Sequence, residues 1–323
     1  MNTETAEIQP SIAGVPEEVQ KNIVEDLKKE KDEVKSVRDT LKIGVSISEN
    51  EDLARLGYSQ IHLKDLMVEI VRSLLINDMI IVYGGDLRKE GYTQVFSDLA
   101  YQYRSIHETK KFYFQNYFAY PIYHQLTRSN ELDFKKNRAD IFKVSPPDEL
   151  NDAPQKYISP DSVQNKYIWA RSLSHMRRQM IEHTNGRILV GGKANNYLGK
   201  IPGVLEEAKI TLQLDKPLYL VGAFGGCAAY TADAIAGKGF SFTDDKFHTS
   251  APYLDFKAFY NEKETENPID LSAEAAYFAG YGLDRLAANN GLSPEENRRL
   301  FVTPHLNEII YLIFKGISKV IPV

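Results

Sequence analysis

The sequence has few of the residues from which metal and disulfide sites are built. Its 323 residues include one cysteine, Cys227, which excludes an internal disulfide and a cysteine-based zinc site. The seven histidines include no pair at the spacing that puts two ligands on one face of a helix. We therefore expect no transition-metal site.

Positive charge and long apolar runs are also scarce. The 39 Lys and Arg residues are outnumbered by 44 Asp and Glu, whereas nucleic-acid binders that neutralise phosphates need a cationic surplus. The longest apolar run, IIYLIF at 309–314, is too short to span a bilayer, and the polar N-terminus does not resemble a signal peptide. We expect a cytoplasmic protein that binds neither nucleic acid nor membrane.

Three common active-site motifs are missing from the glycine turns. The chain has no G-x-x-x-x-G-K-[ST] loop, no G-x-G-x-x-G after its first predicted strand and no G-x-S-x-G elbow. These absences argue against a P-loop NTPase, a conventional NAD(P) dehydrogenase and an α/β-hydrolase.

Alternating strand and helix patterns predict an α/β domain over 42–323, with a doubly wound, mostly parallel sheet. Short apolar runs such as IGVSIS (43–48), DMIIVYGG (78–85) and GRILVGG are typical of buried strands, and helical patterns follow them. The aromatic stretch at 111–126 and the run ADIFKV add further strands. Residues 145–165 predict a surface loop, and the C-terminal third predicts two more helices.

The N-terminal region has a different composition. Residues 1–15 predict a mobile tail, and 16–41 predict a charged helix that begins with proline and acidic residues. Leu27, Val34 and Leu41 follow a seven-residue repeat in this segment. The helix either forms a coiled-coil seam between protomers or is a solvated lead-in.

Four predicted strands end in glycine or small polar residues, in VSIS, VYGGD, LVGGK and LVGAFGG. The carboxyl ends of parallel strands lie along one edge of the sheet, where ligands bind. Glycine lets the backbone approach a ligand, and the N–H groups of the next helix attract anions. Each glycine alone is explained by a tight turn, but four such turns together favour a phosphate-bearing ligand.

The run HMRRQMIEHTNGRILVGG…IPGVLEEA resembles the core of the SLOG superfamily, which includes the LONELY GUY and DprA-related proteins. The resemblance implies a modified Rossmann fold. Anchored on Met180, it places Arg177 on the family's catalytic arginine, with Arg178 beside it. It places 190–192 on the Pro-Gly-Gly motif and 203–207 on Gly-Thr-x-x-Glu, so that Glu207 matches the catalytic glutamate. VSISENEDLARLG and IVYGGDLRKEGYT are similar to SLOG domains found near TIR and other prokaryotic defence effectors.

The sequence departs from the family pattern at two places. Val204 stands where the family has a phosphate-binding threonine, and KANNYLGKIP (193–202) is inserted into the glycine turn. The family's enzymes release a base from a nucleoside 5′-monophosphate. Losing the hydroxyl and lengthening the loop imply a different, larger ligand.

The candidate residues also have structural explanations. Arg177 either clamps phosphate bidentately or belongs to a solvated basic turn. The helix macrodipole explains Glu206 in the first turn of a helix, whereas Glu207 either binds a ribose hydroxyl or has the same structural explanation. Trp169 is expected to line the same pocket, and Phe224 either stacks on a base or packs in the core. The predicted ligand-binding residues are Ser46, Ser48, Gly84, Gly85, Arg88, Arg171, Arg177, Arg178, Gly191, Gly192, Lys193, Gly199, Pro202, Gly203, Val204, Glu206, Glu207, Gly222, Phe224, Gly225 and Gly226.

The resemblance to defence-associated SLOG domains, together with these departures, implies a homo-oligomeric domain that senses a nucleotide-derived or NAD-derived messenger in antiphage defence, with a separate effector protein as a partner. The alternative is a nucleotide N-glycosidase in which Glu207 and Arg177 are catalytic. A third interpretation is a scaffold protein with a vestigial pocket.

Overall fold

The computed structural model describes residues 41–85, 87–88, 91–103, 112–239 and 246–321. The predicted tail (1–15) and charged helix (16–41) lie outside the described residues, apart from Leu41. Six described strands form one parallel sheet in the order β4-β3-β2-β1-β5-β6. The strands are β1 (Lys42–Ser48), β2 (Ile80–Gly84), β3 (Phe114–Ala119), β4 (Ala139–Val144), β5 (Gly186–Gly191) and β6 (Leu218–Val221).

In the described part of the chain, twelve α-helices accompany this sheet. The first seven are α1 (Asp52–Arg55), α2 (Gln60–Ile76), α3 (Tyr92–Tyr103), α4 (Arg128–Lys136), α5 (Val163–Glu182), α6 (Gly203–Gln213) and α7 (Gly226–Ile235). The C-terminal five are α8 (Ala251–Lys263), α9 (Leu271–Tyr281), α10 (Leu283–Asn290), α11 (Pro294–Val302) and α12 (Leu306–Val320). Short 3-10 turns occupy Ile122–Gln125 and Asp148–Leu150.

The strand order creates a crevice at the centre of the sheet. The chain builds β1 to β4 outward on one side and then returns to place β5 and β6 on the other side of β1. The carboxyl ends of β1 and β5 therefore flank the topological switch point, where α/β folds bind ligands. Ser46 and Ser48 of β1 lie opposite Leu189 and Gly191 of β5 beside this crevice.

Alternation along β1 separates the two faces of the sheet. Ile43, Val45 and Ile47 join the hydrophobic core that also contains residues of α2, α3 and α12. The intervening residues Gly44 and Ser46 are small, and Ser46 contacts Glu207 of α6 on the other face. Helices thus cover both faces, and the doubly wound α/β fold expected from the sequence is confirmed.

The C-terminal third differs from its prediction of two helices, since the described residues there form five. The stretch SAEAAYFAGYGLDRLAANNG divides into α9 and α10 at Gly282, whose φ of +73° interrupts the helical path. The start of α11 carries a signal that sequence reasoning missed. Ser293 accepts from the Glu296 amide, Glu296 accepts from the Ser293 amide, and Pro294 lies in the first turn.

In the chain segments that the structure describes, no helix combines the length and apolar character needed to cross a membrane. Those segments also contain no group of three or more His, Cys, Asp or Glu side chains placed to hold a metal ion.

The contact between α11 and α12 is expected to weaken in acid. Arg299 donates to both carboxylate oxygens of Glu308, at 2.6 and 2.8 Å, and Thr303 donates to the same carboxylate. These hydrogen bonds lower the pKa of Glu308 from 4.5 to about 2. Because the folded-state pKa is depressed, the stabilisation is present above pH 4.5 and is lost as the pH falls towards 2.

Urea unfolding measured across this pH range checks the expectation. The variant Glu308→Gln should flatten the fall of the unfolding midpoint with decreasing pH. Glu295→Gln is the matched control, because Glu295 is highly exposed and lies 3.8 Å from its partner Arg298. Equal pH dependence in wild type and Glu308→Gln would contradict the role assigned to this carboxylate.

Candidate functional site

A cavity of about 610 Å³ lies at the carboxyl ends of β1 and β2, against α5 and the start of α6. Its volume is typical of sites for small molecules. Part of its wall is apolar or aromatic, with Tyr83, Leu87, Ile122, Trp169 and Leu173. The predicted residues that line it are Ser46, Ser48, Gly84, Arg88, Trp169, Arg177, Lys193, Gly203, Val204 and Glu207.

Glu207 is the centre of a buried polar cluster on the cavity wall. The helix α6 begins at Gly203, which places Glu207 about one turn into it. The Oε2 atom of Glu207 accepts hydrogen bonds from the Ser46 hydroxyl and from Nη1 of Arg187, the latter at 2.7 Å. The Oε1 atom lies 3.5 Å from Nε of Arg177. One oxygen is thus held from the sheet side, and the other lies beside Arg177.

Glu206 holds Arg177 from the other side. Its carboxylate accepts from Nη1 of Arg177 and from the Ser174 hydroxyl, and both charged side chains are buried. The helix macrodipole explains an acidic residue at this position, but the structure adds a buried ion pair. Arg177 therefore belongs to the cavity wall and not to a solvated basic turn.

Two glycines make room for the Arg177 guanidinium. A Cβ atom at Gly203 would lie 2.6 Å from Nη2, and one at Gly199 would lie 2.8 Å from Nη1. Both distances are shorter than carbon and nitrogen can approach without displacing the arginine. The glycines of LGKIPG are consequently needed for close packing against Arg177, in addition to their place in the turn.

The two glycine turns that surround the insertion belong to one structural unit. Gly191 ends β5 and Gly192 follows it, with φ angles of +62° and +99°, and α6 begins only at Gly203, after the intervening residues 193–202. A Cβ atom at Gly192 would lie 2.7 Å from Cβ of Val204, so the start of α6 packs directly on the end of β5. The insertion leaves this strand-to-helix contact in place.

The insertion itself forms part of the cavity wall. Lys193, Tyr197 and Leu198 line the cavity, and the Lys193 amide donates to the Ser48 hydroxyl at 3.0 Å. Tyr197 is buried, with its hydroxyl 3.1 Å from Nε2 of His248. The loop is therefore packed against a later part of the chain and contributes side chains to the cavity wall.

The 222–226 turn does not line the cavity. Asp52 occupies the N-terminus of α7, where its Oδ2 atom accepts from the Gly226 amide and the Tyr230 hydroxyl, each at 2.9 Å. Burial alone raises the pKa of Asp52, but the hydrogen bonds from Gly226, Arg55 and Tyr230 outweigh it and lower the pKa. The Asp52 carboxylate thus occupies the anion position at the start of α7, which the sequence suggested for a ligand phosphate.

The remaining predicted residues lie beside the cavity or away from it. Phe224 packs on Tyr58, with ring centroids 4.9 Å apart, as its core-packing interpretation expects. Arg171 pairs with Glu264, and Arg178 is exposed. Predicted residues outside the cavity lining are Gly85, Arg171, Arg178, Gly191, Gly192, Gly199, Pro202, Glu206, Gly222, Phe224, Gly225 and Gly226.

Sequence reasoning missed Arg187. Its run GRILVGG is typical of an ordinary buried strand, and a single arginine near a strand start is usually a surface residue. In the structure its side chain is fully buried and contacts Ser46 and Glu207. The signal available in the sequence is the facing strand, where small residues alternate with large ones in IGVSIS and leave space on one face.

The chain matches a known protein family. A family model described as SLOG cluster2 matches residues 37–300 of the chain. No curated protein matches the chain. The matched range includes every residue that lines the cavity.

Proposed function

Because the chain belongs to the SLOG superfamily, we propose that the cavity binds a nucleotide-derived ligand and that the domain acts as a sensor of it. The observation that carries the proposal is the convergence of Arg177 and Glu207 on one cavity wall, with Oε1 and Nε 3.5 Å apart. A guanidinium and a carboxylate suit the two polar parts of a nucleotide, its phosphate and its ribose.

The chemistry of the wall supports this assignment. Arg177, Arg88 and Lys193 supply cationic groups for phosphate, and the Glu207 carboxylate is an acceptor for a ribose hydroxyl. The aromatic side chains of Tyr83 and Trp169 offer an apolar surface for a base. A volume of about 610 Å³ suits NAD-derived and other messenger nucleotides, which are larger than a monophosphate.

Three observations favour sensing over turnover. Val204 supplies no hydroxyl for phosphate at the start of α6, and the insertion adds Lys193, Tyr197 and Leu198 to the cavity wall. Arg177 and Glu207 are also engaged by protein partners, Glu206 and Arg187 respectively. We propose that the ligand shifts homo-oligomeric assembly or contacts with an effector protein, in a prokaryotic defence system of the TIR-associated kind.

The second candidate function is cleavage of an N-glycosidic bond in a nucleotide. It is supported by the same pair, since the superfamily resemblance makes Arg177 and Glu207 the catalytic residues and both line the cavity. The two functions differ in one observable. A sensor releases its ligand unchanged, whereas the enzyme produces a free base and a ribose phosphate.

A thermal-shift screen tests the proposal. We expect at least one of AMP, NAD, ADP-ribose and cyclic ADP-ribose to raise the unfolding temperature, since a ligand at 100 times its Kd stabilises the folded state by about 2.7 kcal/mol. Arg178→Ala is the matched control and should respond like wild type, because Arg178 is exposed and outside the cavity. A protein that none of these nucleotides stabilises would contradict nucleotide binding. Light scattering on the same samples measures the oligomeric mass. An unchanged mass with bound ligand would contradict a ligand-induced change in homo-oligomeric assembly.

A further inference from the structure

Arg187 stands out as a buried cation that lies behind the cavity wall. It is the second residue of β5, its exposure is 0%, and it does not itself line the cavity. Its Nη1 atom donates to the Ser46 hydroxyl at 2.8 Å and to Oε2 of Glu207 at 2.7 Å. Any effect of Arg187 on a ligand therefore passes through its two partners that line the cavity, Glu207 and Ser46.

The surroundings of Arg187 are unfavourable for a structural cation. Within the part of the chain that the structure describes, its Nε and Nη2 atoms have no hydrogen-bond partner. Burial lowers the pKa of the guanidinium, against the opposing effect of Glu207. Well-packed apolar residues usually serve stability as well as a buried ion pair or better. The arginine is thus poorly explained by stability alone.

The facing strand makes a specific space for this side chain. Gly44 lies opposite Arg187 in the sheet, and a Cβ atom at Gly44 would lie 2.7 Å from Cζ of the arginine. Ser46, on the same face of β1, is the second partner of Nη1. Gly44 and Ser46 on β1 thus accommodate the Arg187 side chain from β5. In this position Nη1 of Arg187 donates to Oε2 of Glu207.

We propose that Arg187 is a positioning residue, which holds Oε2 of Glu207 so that Oε1 is presented to the ribose of the ligand. This inference rests on the proposed nucleotide binding. Without Arg187 and Ser46, the Glu207 carboxylate is free to turn towards Arg177, whose Nε is already 3.5 Å from Oε1. Both oxygens would then be directed at the protein's own cation. The consequence is selectivity for ligands with ribose hydroxyls, because a hydrogen bond to a fixed carboxylate is lost in a deoxy analogue.

Titration calorimetry with AMP, 2′-deoxy-AMP and 3′-deoxy-AMP tests the proposal. Wild type is expected to bind AMP at least about tenfold more tightly than one of the deoxy analogues, which corresponds to one charged hydrogen bond. Arg187→Lys keeps the buried charge, but one ammonium cannot reproduce the planar guanidinium geometry. Ser46→Ala removes the other Oε2 donor without changing charge. Both variants should reduce the preference to about threefold or less, while Arg178→Ala should retain it.

The outcomes distinguish nucleotide binding by the cavity from the positioning role of Arg187. If wild type binds none of the three nucleotides, the positioning role fails, whereas nucleotide binding itself fails only if NAD, ADP-ribose and cyclic ADP-ribose do not bind either. If wild type binds AMP but shows no preference for ribose, nucleotide binding stands and the role of Arg187 is overturned. Full preference retained in Arg187→Lys and Ser46→Ala, whatever their thermal stability, would likewise show that Arg187 is structural only.

Discussion

Replacing Glu207 with glutamine is expected to destabilise the fold by about 3–5 kcal/mol, the usual effect of breaking a buried ion pair from one side. The reason is that Arg187, with 0% exposure, would keep its charge and lose its counter-ion. Urea unfolding measures the change. Removing both charges in Arg187→Met/Glu207→Gln should restore much of the loss, since partners in contact are strongly coupled.

A matched control makes this expectation specific. Glu182→Gln also removes a glutamate paired with an arginine, but that pair is exposed and 3.8 Å apart, so the change should stay within about 0.5 kcal/mol. A loss below about 1 kcal/mol in Glu207→Gln, or a double variant less stable than both single variants, would contradict a buried pair between Glu207 and Arg187.

Replacing Arg177 with alanine is expected to abolish the stabilisation of the protein by nucleotides. Truncating one partner of a buried hydrogen-bonded charge pair typically costs about 2–5 kcal/mol in binding, which is at least about a thirtyfold loss of affinity. The same change leaves Glu206 buried without its guanidinium and is expected to destabilise the free protein. Titration calorimetry at a temperature where the variant is folded separates the two effects.

The variant Arg177→Ala/Glu206→Gln removes the unpaired charge as well and is expected to fold more stably than Arg177→Ala. It should still fail to bind nucleotide, because Arg177 is the buried cation of the cavity wall. Wild-type affinity in this double variant would show that the ligand does not contact Arg177.

Local sequence patterns are sufficient to predict the strands of the sheet and its parallel arrangement. Short apolar runs are typical of buried parallel strands, and a glycine or small polar residue marks the ends of β1, β2 and β5. The family resemblance assigns Arg177 and Glu207 to one site, and the structure places both on the cavity wall. These features depend on residues close together in sequence or on a contiguous motif.

The features that sequence reasoning missed depend on distant contacts. Asp52 caps α7 across a separation of 174 residues, so nothing local to the 222–226 turn reveals that its anion position is filled by the protein. Arg187 meets Ser46 across 141 residues, and Gly44 on a neighbouring strand makes the space in which it is buried. The role of each residue is set by its partner in the fold and not by its own motif.

The two glycine turns on either side of residues 193–202 lie close together in the fold. The end of β5 and the start of α6 remain in contact through Gly192 and Val204, although residues 193–202 are inserted between them. The inserted segment supplies Lys193, Tyr197 and Leu198 to the cavity wall. The end of β5 therefore packs on the start of α6, and the wall supplied by residues 193–202 is where we expect ligand choice to differ from that of a monophosphate site.

The most direct test is to incubate the wild-type protein with AMP, NAD, ADP-ribose and cyclic ADP-ribose, measure binding by equilibrium dialysis and analyse the recovered nucleotides by chromatography. We predict saturable binding of at least one nucleotide, its recovery unchanged, and loss of binding in Arg177→Ala/Glu206→Gln but not in Arg178→Ala. Release of a free base and a ribose phosphate would establish turnover and contradict the sensor function. Absence of binding to all four would contradict the assignment of this cavity as a nucleotide site.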